Sequence, residues 1–152
     1  MWRSILAIFL GVLAGSFTVY LIELPGMIMY SPPPGTDVSD NEAMKKHLAS
    51  LPTVALAGVG LAWTIGPLVG AWLAASIARR AFLVHGLVVG AIFLAMDLIM
   101  LSMIPHPIWL AAVGIVAPLI SARIGASLAA RMTGPRRTGP QPYDMRENNM
   151  AC

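Results

Sequence analysis

Residues 82–130 read FLVHGLVVGAIFLAMDLIMLSMI, then PHP, then IWLAAVGIVAPLISARIGASLAA. Each apolar run exceeds the roughly 20 helical residues that cross a hydrocarbon core about 30 Å thick. Only Pro105-His106-Pro107 separates them, and a link that short permits nothing but an antiparallel hairpin. In lipid every backbone N–H and C=O must be paired within the protein, which a helix does by itself. The composition agrees: 57% of the 152 residues are hydrophobic and 11% charged, against about 25% charged in a soluble domain.

Two further runs qualify upstream, so the expected spans are 5–24, 54–78, 82–104 and 108–130. The first begins after Met1-Trp2-Arg3, which resembles a signal-peptide n-region, yet its apolar run is too long for an h-region and no A-x-A site closes it. It is expected to be an uncleaved span. The fold class is all-α, a four-transmembrane-helix bundle over 1–132 with an external loop at 25–53 and a tail at 133–152. The tail is rich in proline and polar residues and is expected to be disordered. Its arginines are suited to anionic headgroups.

Arginine placement sets a direction. Arg3 precedes the first span, Arg79 and Arg80 join the second and third, and Arg131, Arg136 and Arg137 follow the fourth. The other two loops hold only Lys45 and Lys46. By the positive-inside rule both termini are expected in the cytoplasm. The net charge of +3 therefore reflects membrane topology rather than a phosphate-binding face, and no nucleic-acid partner is expected. Trp109, Tyr30 and Trp2 suit the interfacial aromatic belt.

Spans two and four align without a gap. Residues 65–80 match 116–131 at seven positions: Pro67/Pro118, Leu68/Leu119, Ala71/Ala122, Ala75/Ala126, Ser76/Ser127, Ala78/Ala129 and Arg80/Arg131. Spans one and three share Gly11-x-x-x-Gly15 and Gly86-x-x-x-Gly90, each followed by an acid, Glu23 or Asp97. The expectation is two parallel-repeated hairpins related by an axis along the membrane normal. The competing explanation is chance similarity among alanine- and glycine-rich spans. Small residues let helix backbones approach closely in lipid, so Gly11, Gly15, Gly66, Gly70, Gly86 and Gly90 are expected packing positions. Ala71/Ala75 and Ser121/Gly125 extend the pattern. Pro67 and Pro118 are expected to kink spans two and four.

In the external loop, Ser31-Pro32-Pro33-Pro34-Gly35 reads as an extended segment. Ser39-Asp40-Asn41-Glu42 fits a capping box opening a helix of about ten residues that ends before Pro52. Met44, Leu48 and Leu51 share one side of it, as expected for a helix on the outer surface or over the bundle mouth. The run Pro32-Pro33-Pro34-Gly35, with Asp37, Asp40, Glu42, Ala43 and Met44 between two glycine-rich spans, resembles a group of uncharacterised small four-span bacterial membrane proteins. The resemblance covers spans one and two and this loop. It implies a bacterial inner membrane and no particular chemistry.

Ionisable residues inside spans are expensive and become functional candidates. Asp97 lies roughly 22 Å along its helix from Phe82, in the outer half of the bilayer, on the same face as Gly86 and Gly90. Glu23 sits about one turn nearer the outside, on a stripe with Ser16 and Tyr20. Together they form a candidate intramembrane proton or cation site, with His106 or His47 at its mouth. The structural alternative has Asp97 hydrogen-bonded to Thr64 or Tyr20 and Glu23 touching headgroups. Arg123 is expected to snorkel toward the interface beside Arg131, and His85 to be interfacial.

Cys152 is the only cysteine, which excludes an intrachain disulfide or CxxC pair. No HExxH, Ser-His-Asp pattern or phosphate loop occurs, so neither a metal, a cofactor nor an enzymatic activity is expected. The ten methionines show no M-x-x-M repeat and read as packing residues. The sequence favours a structural or accessory membrane subunit acting through its helix faces. Its expected partners are the lipid bilayer and a second copy of the chain or a larger membrane complex. The alternative is a small proton- or cation-coupled transporter or channel, as a homodimer, with Asp97 and Glu23 in the pathway.

Overall fold

The computed structural model describes residues 2–37, 40–104 and 106–134. Five helices follow in order: α1 Trp2–Met29, α2 Asn41–Ser50, α3 Thr53–Ala78, α4 Phe82–Met103 and α5 Ile108–Thr133. The described residues form no strand. Four of the helices, all but α2, are long and apolar enough to cross a membrane, the architecture of a multi-pass membrane protein. Large apolar side chains such as Phe9, Leu13, Phe17, Ile99 and Ile124 face outward. Such a surface suits lipid, where burying leucine brings no advantage.

The buried positions are small instead. Ala7, Ala71, Ala74, Ala75, Ala122 and Ala126 are fully enclosed. α1 runs antiparallel against α3, and a Cβ added at Gly11 would stand 2.6 Å from the Gly70 carbonyl. One at Gly15 would stand 2.7 Å from the Gly66 carbonyl. α4 meets α5 in the same way, Gly86 against Ala126 and Gly90 against Ala122 and the Pro118 carbonyl. Gly125 closes α5 onto the α3 backbone at Leu68 and Trp72. α3 is the central helix, packed against α1, α4 and α5. α1 contacts α4 only lightly. Pro67 and Pro118 lie inside unbroken helices and are wholly buried.

The ends of the helices depart from expectation in four places. α1 does not stop at Leu24: it continues through Pro25 to Met29. A proline removes a single N–H from the ladder, and the apolar run after it rebuilds the helix, ending with Tyr30 N–H donating to the Gly26 carbonyl at 2.9 Å. α5 likewise runs to Thr133, past the expected end at 130. The proline run is extended only to Pro33; Pro34-Gly35 then turn, with Gly35 at φ +86° and Thr36 N–H donating to the Pro33 carbonyl. Proline fixes the first corner of such a turn and glycine accepts the positive φ of the second. Finally, the N-cap of α2 is Asp40 rather than Ser39, its carboxylate accepting from Glu42 N–H at 2.9 Å. Ser39, Pro105 and the tail at 135–152 with Arg136, Arg137 and Cys152 lie outside the described residues.

α2 spans ten residues and ends at Leu51, held extended (φ −70°, ψ 141°) before Pro52. The α3–α4 turn carries two left-handed residues without a glycine, Arg79 at φ 53° and Ala81 at φ 43°. At this end Arg80 Nη2 donates to Ser4 Oγ at 3.0 Å, tying the turn to the start of α1.

Candidate functional site

The bundle is tight at the end that carries Arg79 and Arg80; at the other end α3 and α5 still pack through Leu56, Trp63 and Leu110, but space opens between α1, α3 and α4. Toward the external loop α1, α3 and α4 border a partly open cavity of about 980 Å³. Its floor is set by helix packing. Gly15 and Gly66 bring α1 onto α3, and the Phe93 ring fills the remaining space, close to the Gly15 backbone. Below that level no room remains beside Gly11, Gly70 or Val89. Above it the helices part, and α2 lies over the opening with Met44, His47, Leu48 and Leu51 facing the cavity. Of the two positions expected for this amphipathic helix, the structure places it over the bundle mouth.

Both intramembrane acids line this cavity. The α4 stripe of Gly86, Gly90, Phe93 and Asp97 is buried along one face, which carries Asp97 to the cavity wall. Asp97 is only 7% exposed, and its Oδ2 has no hydrogen-bond partner among the described residues. Glu23, half-buried on α1, faces the same space. The structural alternative for Asp97 does not occur. Thr64 Oγ1 donates to its own helix at the Gly60 carbonyl (2.8 Å), and Tyr20 is half exposed. A buried carboxyl oxygen without a partner normally costs about 1–3 kcal/mol, more when charged.

His47 and His106 also line the cavity, and the backbone fixes one nitrogen of each. His47 Nε2 donates to the Tyr30 carbonyl at 3.0 Å, clamping α2 to the end of α1. His106 Nδ1 donates to the Ile104 carbonyl at 2.7 Å. Since a carbonyl only accepts, His47 Nδ1 and His106 Nε2 are the nitrogens left for other partners. Among the described residues no lysine or arginine lines the cavity.

Sequence reasoning brought Asp97 and Glu23 together, with Ser16 and Tyr20 on the Glu23 stripe and His106 or His47 at the mouth, but missed much of the rest of the wall. Trp63 is 7% exposed, rests against Gly114, and its ring lies 5.6 Å from that of His106. Phe93, Tyr20 and Tyr30 add further aromatic surface. Met27, Met44, Met96 and Met100 also reach the cavity, although along the chain they show no pattern. The period of α3 gave no sign that Trp63 faces inward, because that helix is apolar on every side. Three residues lie away from the site. Arg123 is exposed beside Arg131 in a shallow groove on α5. His85, near the start of α4, is buried within the bundle, its Nδ1 donating back to the Ala81 carbonyl at 3.1 Å. No cluster of three or more His, Cys, Asp or Glu residues suited to a metal occurs among the described residues.

No family model matches the chain, and neither a curated protein nor a solved structure matches it.

Proposed function

We propose that this protein is a small proton- or cation-coupled membrane transporter in which Asp97 and Glu23 form the ion site. One observation carries the reading: Asp97, almost wholly buried and with no hydrogen-bond partner for Oδ2 among the described residues, lines the same cavity as Glu23. An acid held at this depth in a span carries a penalty of about 2.5–3.5 kcal/mol on insertion scales when ionised. Packing does not offset it here, and an exchangeable ion or proton does. The cavity is closed on one side by glycine-mediated packing, which favours a carrier with alternating access over an open pore.

The accessory-subunit reading drew on small-residue faces offered to a partner. Gly11, Gly15, Gly66, Gly70, Gly86 and Gly90 are all occupied within the chain. That favours transport over assembly through those faces.

We place the chain in a bacterial inner membrane with both termini cytoplasmic, the cavity opening to the outside. Support comes from Arg3, Arg79, Arg80 and Arg131 at one end and only Lys45 and Lys46 in the loop at the other. We also read the two hairpins as a repeat. Gly11 packs on Gly70 and Ala74, and Gly86 packs on Ala122 and Ala126, so the partners differ by one residue in the ungapped alignment. The resemblance of the Pro-Pro-Pro-Gly loop to small four-span bacterial proteins points to the same compartment.

The test is proton flux into liposomes carrying the purified chain, followed with an entrapped pH-sensitive dye, with and without added Na⁺ or K⁺. Wild type is expected to carry flux that Asp97→Asn abolishes. Flux absent from the wild type, or equal in the variant, overturns the reading.

A further inference from the structure

We propose that the cavity binds an amphipathic organic cation, an apolar and preferably aromatic body bearing a single positive charge, with that charge held between Asp97 and Glu23. This rests on the reading of the two acids as an ion site and adds the class of molecule that enters it.

Three features converge. The first is size. A proton or a bare metal ion needs a few ligand atoms at close range, whereas this space is about 980 Å³. Cavities of roughly 300–1,000 Å³ are those that enclose drug-sized molecules. Among the described residues no metal-suited cluster accompanies the acids, so the volume is not explained by a small ion.

The second is the wall. Most of it is apolar, supplied by Ile22, Leu56, Val59, Met96, Met100 and their neighbours. Tyr20, Tyr30, Trp63 and Phe93 place aromatic rings around the same space. Aromatic faces attract cations, most strongly when these are desolvated. Flexible methionines let such a wall adapt to bodies of different shape.

The third is charge. Among the described residues the ionisable side chains on the wall are Glu23, Asp97, Tyr20, Tyr30, His47 and His106, and no lysine or arginine joins them. Each histidine uses one nitrogen on a backbone carbonyl. An anionic ligand would meet two carboxylates with no fixed cation to pair with. A neutral apolar ligand would leave the two acids on the wall without a charge partner, and a cation supplies one.

The experiment uses two probes of nearly the same shape and opposite charge, tetraphenylphosphonium and tetraphenylborate. Each is titrated by calorimetry into the detergent-purified full chain, wild type, Asp97→Asn and Glu23→Gln. Glu23 is half-buried nearer the mouth, so its variant keeps the test alive if Asp97→Asn fails to fold; thermal melting of each variant checks this. Saturable binding of tetraphenylphosphonium to wild type is expected, weakened at least about tenfold in either folded variant, with no saturable binding of tetraphenylborate. Equal binding of the two probes, or binding unchanged in both variants, overturns the proposal. No binding of tetraphenylphosphonium, with proton flux in liposomes still dependent on Asp97, also overturns it while leaving the ion site in place. Charge-selective, acid-dependent binding without any flux supports the proposal and removes the transport reading instead.

Discussion

Gly11 holds α1 against α3 because nothing larger fits: an added Cβ would stand 2.7 Å from Ala74 Cβ and 2.6 Å from the Gly70 carbonyl. Backbone cannot swing aside as a side-chain tip can. Gly11→Ala is expected to lower stability by about 1–3 kcal/mol, the usual cost of overpacking a tight contact. Gly26→Ala, on the same helix with nothing within 4 Å, is expected to leave stability unchanged or slightly raised. Thermal melting in detergent separates the two, and equal effects would mean that α1 does not pack as described. Glycine spacing was legible in the sequence because lipid leaves size as the main packing variable. Asp97 and Glu23 were legible because charge is rare in a span. Trp63 was not, since an aromatic residue in an all-round apolar helix carries no directional signal. Nor was the burial of His85, whose Nδ1 donates to the Ala81 carbonyl in the preceding turn.

At the scale of elements, α2 depends on its cap. Asp40 satisfies the Glu42 N–H and begins a helix of ten residues, too short to be stable alone in water. Asp40→Ala is expected to cost about 1 kcal/mol locally. Amide exchange across 41–50 should quicken several-fold while the melting of the bundle stays put. A drop in global melting temperature would instead make α2 part of the cooperative core. The α3–α4 turn offers the opposite change. Ala81 holds φ 43° without being glycine, a conformation that costs an L-residue roughly 1–2 kcal/mol. Ala81→Gly is expected to stabilise by about 1 kcal/mol, and a lowered melting temperature would contradict the geometry of the turn. Element number and order followed from run length and arginine placement. The helix ends did not, because a proline or a polar flank shifts them at the cost of one or two hydrogen bonds, as Pro25 inside α1 illustrates.

For the whole molecule, the close approach of α1 to α3 and of α4 to α5 follows from where the glycines lie. Gly11, Gly15, Gly66, Gly70, Gly86 and Gly90 concentrate contact in the half bearing Arg79 and Arg80. The helices above them separate around two acids. Reporter fusions after 134 and near Asp40 are expected to report opposite compartments; the same compartment for both would remove the four-span topology. The central claim, that Asp97 and Glu23 face an aqueous cavity open to the outside, is tested most directly by cysteine accessibility. With Cys152→Ser the chain has no other cysteine, so single cysteines at 97, 23 and 13 can be compared in intact cells. The probe is a membrane-impermeant, positively charged thiol reagent, which reacts with a thiolate in water. Asp97→Cys and Glu23→Cys are expected to be modified from outside, and Leu13→Cys, whose side chain faces lipid in the tight half, to be spared. An Asp97→Cys that stays unreactive, or reacts only from the cytoplasmic side, would contradict the account.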